Sequence, residues 1–140
     1  MNNQFFLAKL RYTKHLDNGG LKRVNEHFLF QAYTFTDVEA SIYEQLGSVI
    51  RGEFIIQAIE RKTFKDIFFY DDSEKWWLCK VVYDLENDNG KKKEVKMNFL
   101  VTSENAKQST ERIKENLSPM IEDFRIVSTS ETKIVEIFPL

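Results

Sequence analysis

The sequence has little of what many functional classes require. Its 140 residues contain one cysteine, Cys79, with two histidines, two prolines and five glycines. A lone cysteine closes no intrachain disulfide, so a stapled secreted scaffold is excluded and a cytosolic protein is the natural reading. Two histidines and one cysteine do not make a zinc pattern, and no cofactor is implied. So few prolines and glycines leave no room for a disordered linker or a low-complexity tail. No apolar run approaches the roughly 18 residues of a membrane span. The opening MNNQFFLAKLRY lacks the charged segment and long apolar run of a signal peptide. A Walker loop, a dinucleotide glycine fingerprint and a nucleophile elbow are all missing, and the expectation is that the protein is not an enzyme. Acidic pairs occur in YDDSEK (70–75) and IED (121–123), at element junctions where carboxylates commonly cap or stay solvated. Neither sign of charge is in excess: 20 basic against 22 acidic residues give −2. The whole molecule is therefore not drawn to DNA or anionic lipid, although a basic face balanced by acidic ones is compatible with this total.

What is present is an apolar content of 42%, with twelve phenylalanines, enough to fill the core of one β-rich domain. The chain also resembles itself. Shifted by 71 places, FLAKLRYTKHLDNGGLKRVNEHFLF (6–30) lies on WLCKVVYDLENDNGKKKEVKMNFLV (77–101), and the match continues through Ile42/Ile113, Glu44/Glu115 and Leu46/Leu117. Thirteen of the 41 ungapped positions are identical. At a shift of 70, FIIQAIERKTFKDIFF (54–69) lies on FRIVSTSETKIVEIFP (124–139). Two copies are too few for a solenoid and point to a pseudo-twofold domain.

Each copy reads strand, tight turn, strand, helix, strand. Apolar residues alternate along Phe6, Ala8, Leu10, Tyr12 and again along Trp77, Cys79, Val81, Tyr83, the period of a half-buried strand. This parity selects the turn. A two-residue Asn-Gly loop pairs Tyr12 with Asn25 and mixes apolar and polar residues on one face. A three-residue Asp-Asn-Gly loop, its glycine left-handed, pairs Tyr12 with Val24 and Tyr83 with Val95, keeping the faces clean. The first helix is expected to start at an N-cap Thr36 with Glu39 completing a capping box, and to end before Gly47. The second is expected to begin at Ser103 and to stop before Pro119. Each closing segment is either one bent strand or two strands with a break. The expected fold is α+β: one domain, residues 1–140, of two fused ββαβ repeats (about 5–70 and 76–140), with both helices on one face of a largely antiparallel sheet.

Candidate chemistry lies on the sheet face away from the helices. The Lys91–Lys93 run is read as a solvated hairpin tip that discourages edge pairing. Below the tips, Lys9, Arg11, Arg23 and His27 in the first copy, and Lys80 and Lys96 in the second, share the outer parity. Such a face is polar by default, yet basic side chains there also suit single-stranded nucleic acid or a nucleotide phosphate. Higher on that face stand Phe5, Leu7, Leu29, Trp76, Leu78 and Leu100, too many large apolar groups to leave to water. They suit contact with the other repeat, a second copy of the chain in a homodimer, or a host protein. Cys79 points inward as an inert core thiol.

The stretches WWLCKVVYDLENDNGKKK, FTDVEASIYEQL, GEFIIQAIERKTFKDIFF and FRIVSTSETKIVEIFPL resemble an uncharacterised domain-of-unknown-function family of bacteria and their phages and mobile elements. The likeness spans nearly the whole chain and brings no assigned activity, ligand or catalytic residue. It implies an accessory protein in the bacterial cytoplasm, of the kind that handles nucleic acid, sequesters a nucleotide signal or binds a host protein. The expectation is a non-catalytic binding protein for a phosphate-bearing ligand, with a protein-interaction or assembly module as the alternative.

Overall fold

The structure, a computed structural model, describes residues 4–121 and 123–140. Its elements run β1 (Gln4–His15), β2 (Leu21–Gln31), α1 (Phe35–Leu46), β3 (Phe54–Thr63), β4 (Asp66–Phe68), β5 (Trp76–Glu86), β6 (Lys92–Thr102), α2 (Ala106–Leu117), β7 (Phe124–Glu131) and β8 (Ile134–Phe138). The hairpins have the register that parity demands. Tyr12 faces Val24 and Ala8 faces Phe28; Tyr83 faces Val95 and Cys79 faces Phe99. The bonds Leu16 N–H to Gly20 O (2.8 Å) and Asn87 N–H to Lys91 O (2.9 Å) close the two three-residue loops. Gly19 (φ 84°) and Gly90 (φ 73°) take the left-handed position in them, where a side chain is strained.

The fold is α+β and mostly antiparallel, but the strands make two four-stranded sheets, not the single sheet expected. The orders are β3-β1-β2-β8 and β4-β6-β5-β7. The cause lies in the closing segments, each of which breaks into two strands. β3 lies antiparallel to β1, whereas β4, two residues later, lies parallel to β6. Likewise β7 lies antiparallel to β5, and β8 lies parallel to β2. Two compact units result: one holds the described residues up to Thr63 together with Lys133–Leu140, the other Phe64–Thr132.

Each unit carries one helix on one face of its sheet. In the first, Val38, Ile42 and Leu46 of α1 pack with Phe6, Leu10, Phe28 and Phe30. In the second, Ile113 and Leu117 of α2 pack with Cys79, Val81, Phe99 and Val101. These are the i, i+4 rows that a helix presents to a core, and truncating a fully buried member such as Ile42 to Ala costs about 2–5 kcal/mol. The helices start where local hydrogen bonding dictates. Thr34, not Thr36, is the first N-cap, its Oγ1 accepting from Asp37 N–H (3.1 Å). Asn105, not Ser103, is the second, its Oδ1 accepting from Gln108 N–H (2.8 Å). A cap must have extended backbone and reach the N–H three residues on, a condition that Thr34 and Asn105 meet.

Candidate functional site

The six predicted ligand-binding residues are divided between the two sheets: Lys9, Arg11, Arg23 and His27 in the first, Lys80 and Lys96 in the second. Their surroundings differ, and the difference follows from what the third strand supplies. In the first unit β3 places Glu60 opposite Leu7, beside Lys9. Lys9 Nζ donates to Glu60 Oε1 at 3.2 Å, and Lys62 lies 3.7 Å from the other carboxylate oxygen. The Lys9 bond holds the Glu60 carboxyl below its usual range. His27 is half-buried, and burial with Lys9 and Lys133 nearby lowers its pKa, so it is neutral at pH 7. Arg23 turns to Thr13 Oγ1 (3.4 Å), while Arg11 is exposed between Asn25 and Ile55. On the first face Lys9 is thus paired and His27 neutral, while Arg11 and Arg23 keep their charge with no ion-pair partner among the described residues.

In the second unit the place of Glu60 is taken by Ser130, opposite Leu78 on β7. Lys80 is exposed with no ion-pair partner among the described residues, and so is Lys96. The two sit diagonally on adjacent strands, because Lys80 faces Asn98 and Val82 faces Lys96. Diagonal neighbours of this kind are about 7–8 Å apart, a separation that two ammonium groups on flexible stems can close onto one phosphate. Asp84 and Glu94 would otherwise dilute the charge. Arg125, which faces Val82 from β7, pairs with both, at 3.4 and 3.6 Å. Arg125 holds both carboxylates but offsets only one of their charges, so three cations against two carboxylates leave the cluster a single net positive charge, with neither lysine drawn into an ion pair.

These side chains surround a concavity of about 610 Å³, lined by Lys80, Val82, Glu94, Lys96, Asn98, Arg125 and Val127 among others. Val82 is 6% exposed and forms a floor, while Val127, 63% exposed, forms an apolar wall. A β-bulge between Lys80 and Val81 in the pairing with β7 puts Val127 out of regular register at this point. The amide of Asn98 supplies a further donor. The chemistry on offer is recognition of an anion beside a small apolar surface. Sequence reasoning missed Arg125 and Val127 because their placement depends on the β5–β7 register, which the bulge shifts. The signal for Ser130 was an alignment of β3 with β7, in which a carboxylate gives way to a hydroxyl.

The six apolar outer-face residues are mostly buried. Phe5, Leu7, Leu29, Trp76 and Leu100 are each no more than 9% exposed, and Leu78 is half-buried. The acidic stretch 70–75 is structural in part: Asp72 pairs with Arg112, which also donates to Thr102 O (2.7 Å) and lies over the Tyr70 ring. Of the second acidic pair, Glu122 lies outside the described residues. Cys79 is fully buried, 3.5 Å from Ser109 Oγ. Among the described residues no group of three or more His, Cys, Asp or Glu side chains is arranged to hold a metal ion. No helix of the described residues is long and apolar enough to cross a membrane.

A family model described as a domain of unknown function (DUF4494) matches residues 4–140. No curated protein and no solved structure matches the chain.

Proposed function

The chain belongs to the DUF4494 family, a domain of unknown function, and for it we propose non-catalytic binding of a phosphate-bearing ligand on the outer face of the second sheet. The observation that carries this reading is the pair Lys80 and Lys96, held in no ion pair among the described residues, above an apolar floor in a concavity of about 610 Å³. That volume falls in the range of about 300–1,000 Å³ usual for small-ligand sites, and an apolar surface beside the cations accommodates a base or sugar. The first unit's basic residues are left out of the site because Lys9 is held by Glu60 and His27 is neutral, which leaves only Arg11 and Arg23 charged and unpaired on that face.

The finer elements of the reading follow from the sequence. The two repeats, about 5–70 and 76–140, are copies of one ancestral unit, supported by the recurring residues and by caps and bulges at equivalent positions. The setting is the cytoplasm, supported by the single unpaired thiol, in a phage or mobile-element accessory role supported by the family resemblance. A partner-binding or assembly role through Phe5, Leu7, Leu29, Trp76, Leu78 and Leu100 is the lesser reading, because burial removes most of that patch from reach.

Titration of the protein into labelled single strands and into nucleoside triphosphates, at low and moderate salt, tests the proposal. Binding is expected to be lost in Lys80→Glu with Lys96→Glu and kept in Lys9→Glu with Arg11→Glu. A steep salt dependence marks a strand with several phosphates engaged, a shallow one a mononucleotide. No binding of either class, or binding indifferent to the Lys80 and Lys96 reversal, overturns it.

A further inference from the structure

The connectivity has a consequence for assembly. β8 lies on β2 through the pairs Phe28/Glu136, Leu29/Ile137 and Phe30/Phe138, with His27 N–H donating to Lys133 O (3.2 Å). β4 lies on β6 through Asp66/Phe99, Ile67/Leu100 and Phe68/Val101, with Lys65 N–H donating to Asn98 O (2.8 Å). His27 and Asn98 are equivalent under the 71-residue shift. Both exchanged strands are clamped by ring stacking: Phe138 on Phe30 at 4.9 Å and Phe68 on Phe99 at 5.7 Å. Each contiguous half of the chain therefore contains an acceptor strand that it does not fill and a donor strand that it does not use. The only covalent link between the halves is residues 69–75.

From this we infer that the two halves are each other's binding partners, and that a second copy of the chain can supply the complementary half, giving a dimer with exchanged halves. In such a dimer every strand pair and both of these ring stacks are kept. Only the path of residues 69–75 changes. Closed exchange of this kind is a low-cost route to dimers because its contacts are those that the monomer already has. The monomer wins in dilute solution because the short connection gives the halves an effective concentration on the order of millimolar. The connection is also tied down within its own unit. Tyr70 N–H donates to Thr102 Oγ1 (2.6 Å), Ser103 N–H donates to Lys75 O (3.0 Å), and Asp72 pairs with Arg112.

Shortening the connection tests the inference. β4 and β5 flank β6, so they stand two strands apart, about 9.5 Å. Deleting residues 70–75 leaves Phe69 alone to span the gap, and two Cα steps reach only about 7 Å. The shortened chain can keep both sheets only as a dimer. Light scattering is expected to give twice the monomer mass with native circular dichroism, and a folded monomer overturns the inference. If the shortened chain does not fold, the full-length chain decides, with a protease site inserted between Ser73 and Glu74 and cut after folding. The two pieces are expected to co-elute in native buffer and to separate only in denaturant; separation in native buffer overturns the inference.

Discussion

At the scale of the residue, one substitution between equivalent positions separates a lysine held in an ion pair from one left without a partner. Glu60 beside Lys9 and Ser130 beside Lys80 occupy the same place in their sheets. Ser130→Glu is expected to set a carboxylate against Lys80 and weaken phosphate binding about tenfold or more, because a like charge is brought to the anion. Thermal stability should move little, since an exposed ion pair contributes on the order of 0–1 kcal/mol. Calorimetric titration beside a melting curve checks both. The same geometry makes His27 a source of pH dependence. Its folded pKa lies below the unfolded value, so between the two the unfolded chain holds more protons and stability rises with pH, reaching its plateau above about 6.5. The melting temperature is expected to fall as pH drops from 7.5 through that window, and to fall less in His27→Gln. The lowered carboxyls of Glu60 and Asp72 act in the same direction at still lower pH, below the ordinary carboxylate range, and so do not mask the histidine.

At the scale of the element, the short parallel strands matter more than their length suggests. Phe138 stacks on Phe30 and reaches Phe28 at 6.4 Å, so Phe138→Ala removes most of what fastens β8 to β2. The expected loss is about 2–3 kcal/mol, from the ring's burial and its aromatic contacts together. Phe68→Ala should act similarly on β4 through Phe99. Urea unfolding measures both, and a change below about 0.5 kcal/mol in each would mean that the strands are held by backbone bonds alone. These strands also mark where sequence reading stops. The hairpin registers were legible because a one-residue slip turns every side chain over, and only one loop length keeps Tyr12, Val24, Tyr83 and Val95 on the apolar side. The breaks at 64–65 and 132–133 carry no such constraint. A three-residue strand has too few alternations to reveal its face, and nothing local says which sheet it joins. The helix caps were misplaced for a related reason: Thr34 and Thr36 offer the same side chain, and only the backbone path decides between them.

At the scale of the whole molecule, two sheets of matching order are each completed by the closing strand of the other half of the chain. The basic residues were legible as a set on one parity, but the sequence did not reveal that they belong to separate sheets, or that Glu60 and Arg125 redistribute the charge. Those facts depend on the third strand's register, which a bulge shifts in both sheets. The central claim is that the second sheet binds a phosphate-bearing ligand through Lys80 and Lys96 while the first does not. The most direct test is calorimetric titration of wild type, Lys80→Glu/Lys96→Glu and Lys9→Glu/Arg11→Glu with a nucleoside triphosphate and, in parallel, a short single strand. The account predicts binding of at least one ligand that the Lys80 and Lys96 variant abolishes and the Lys9 and Arg11 variant leaves within about twofold of wild type. Equal loss in both variants, or no loss in the Lys80 and Lys96 variant, would contradict it.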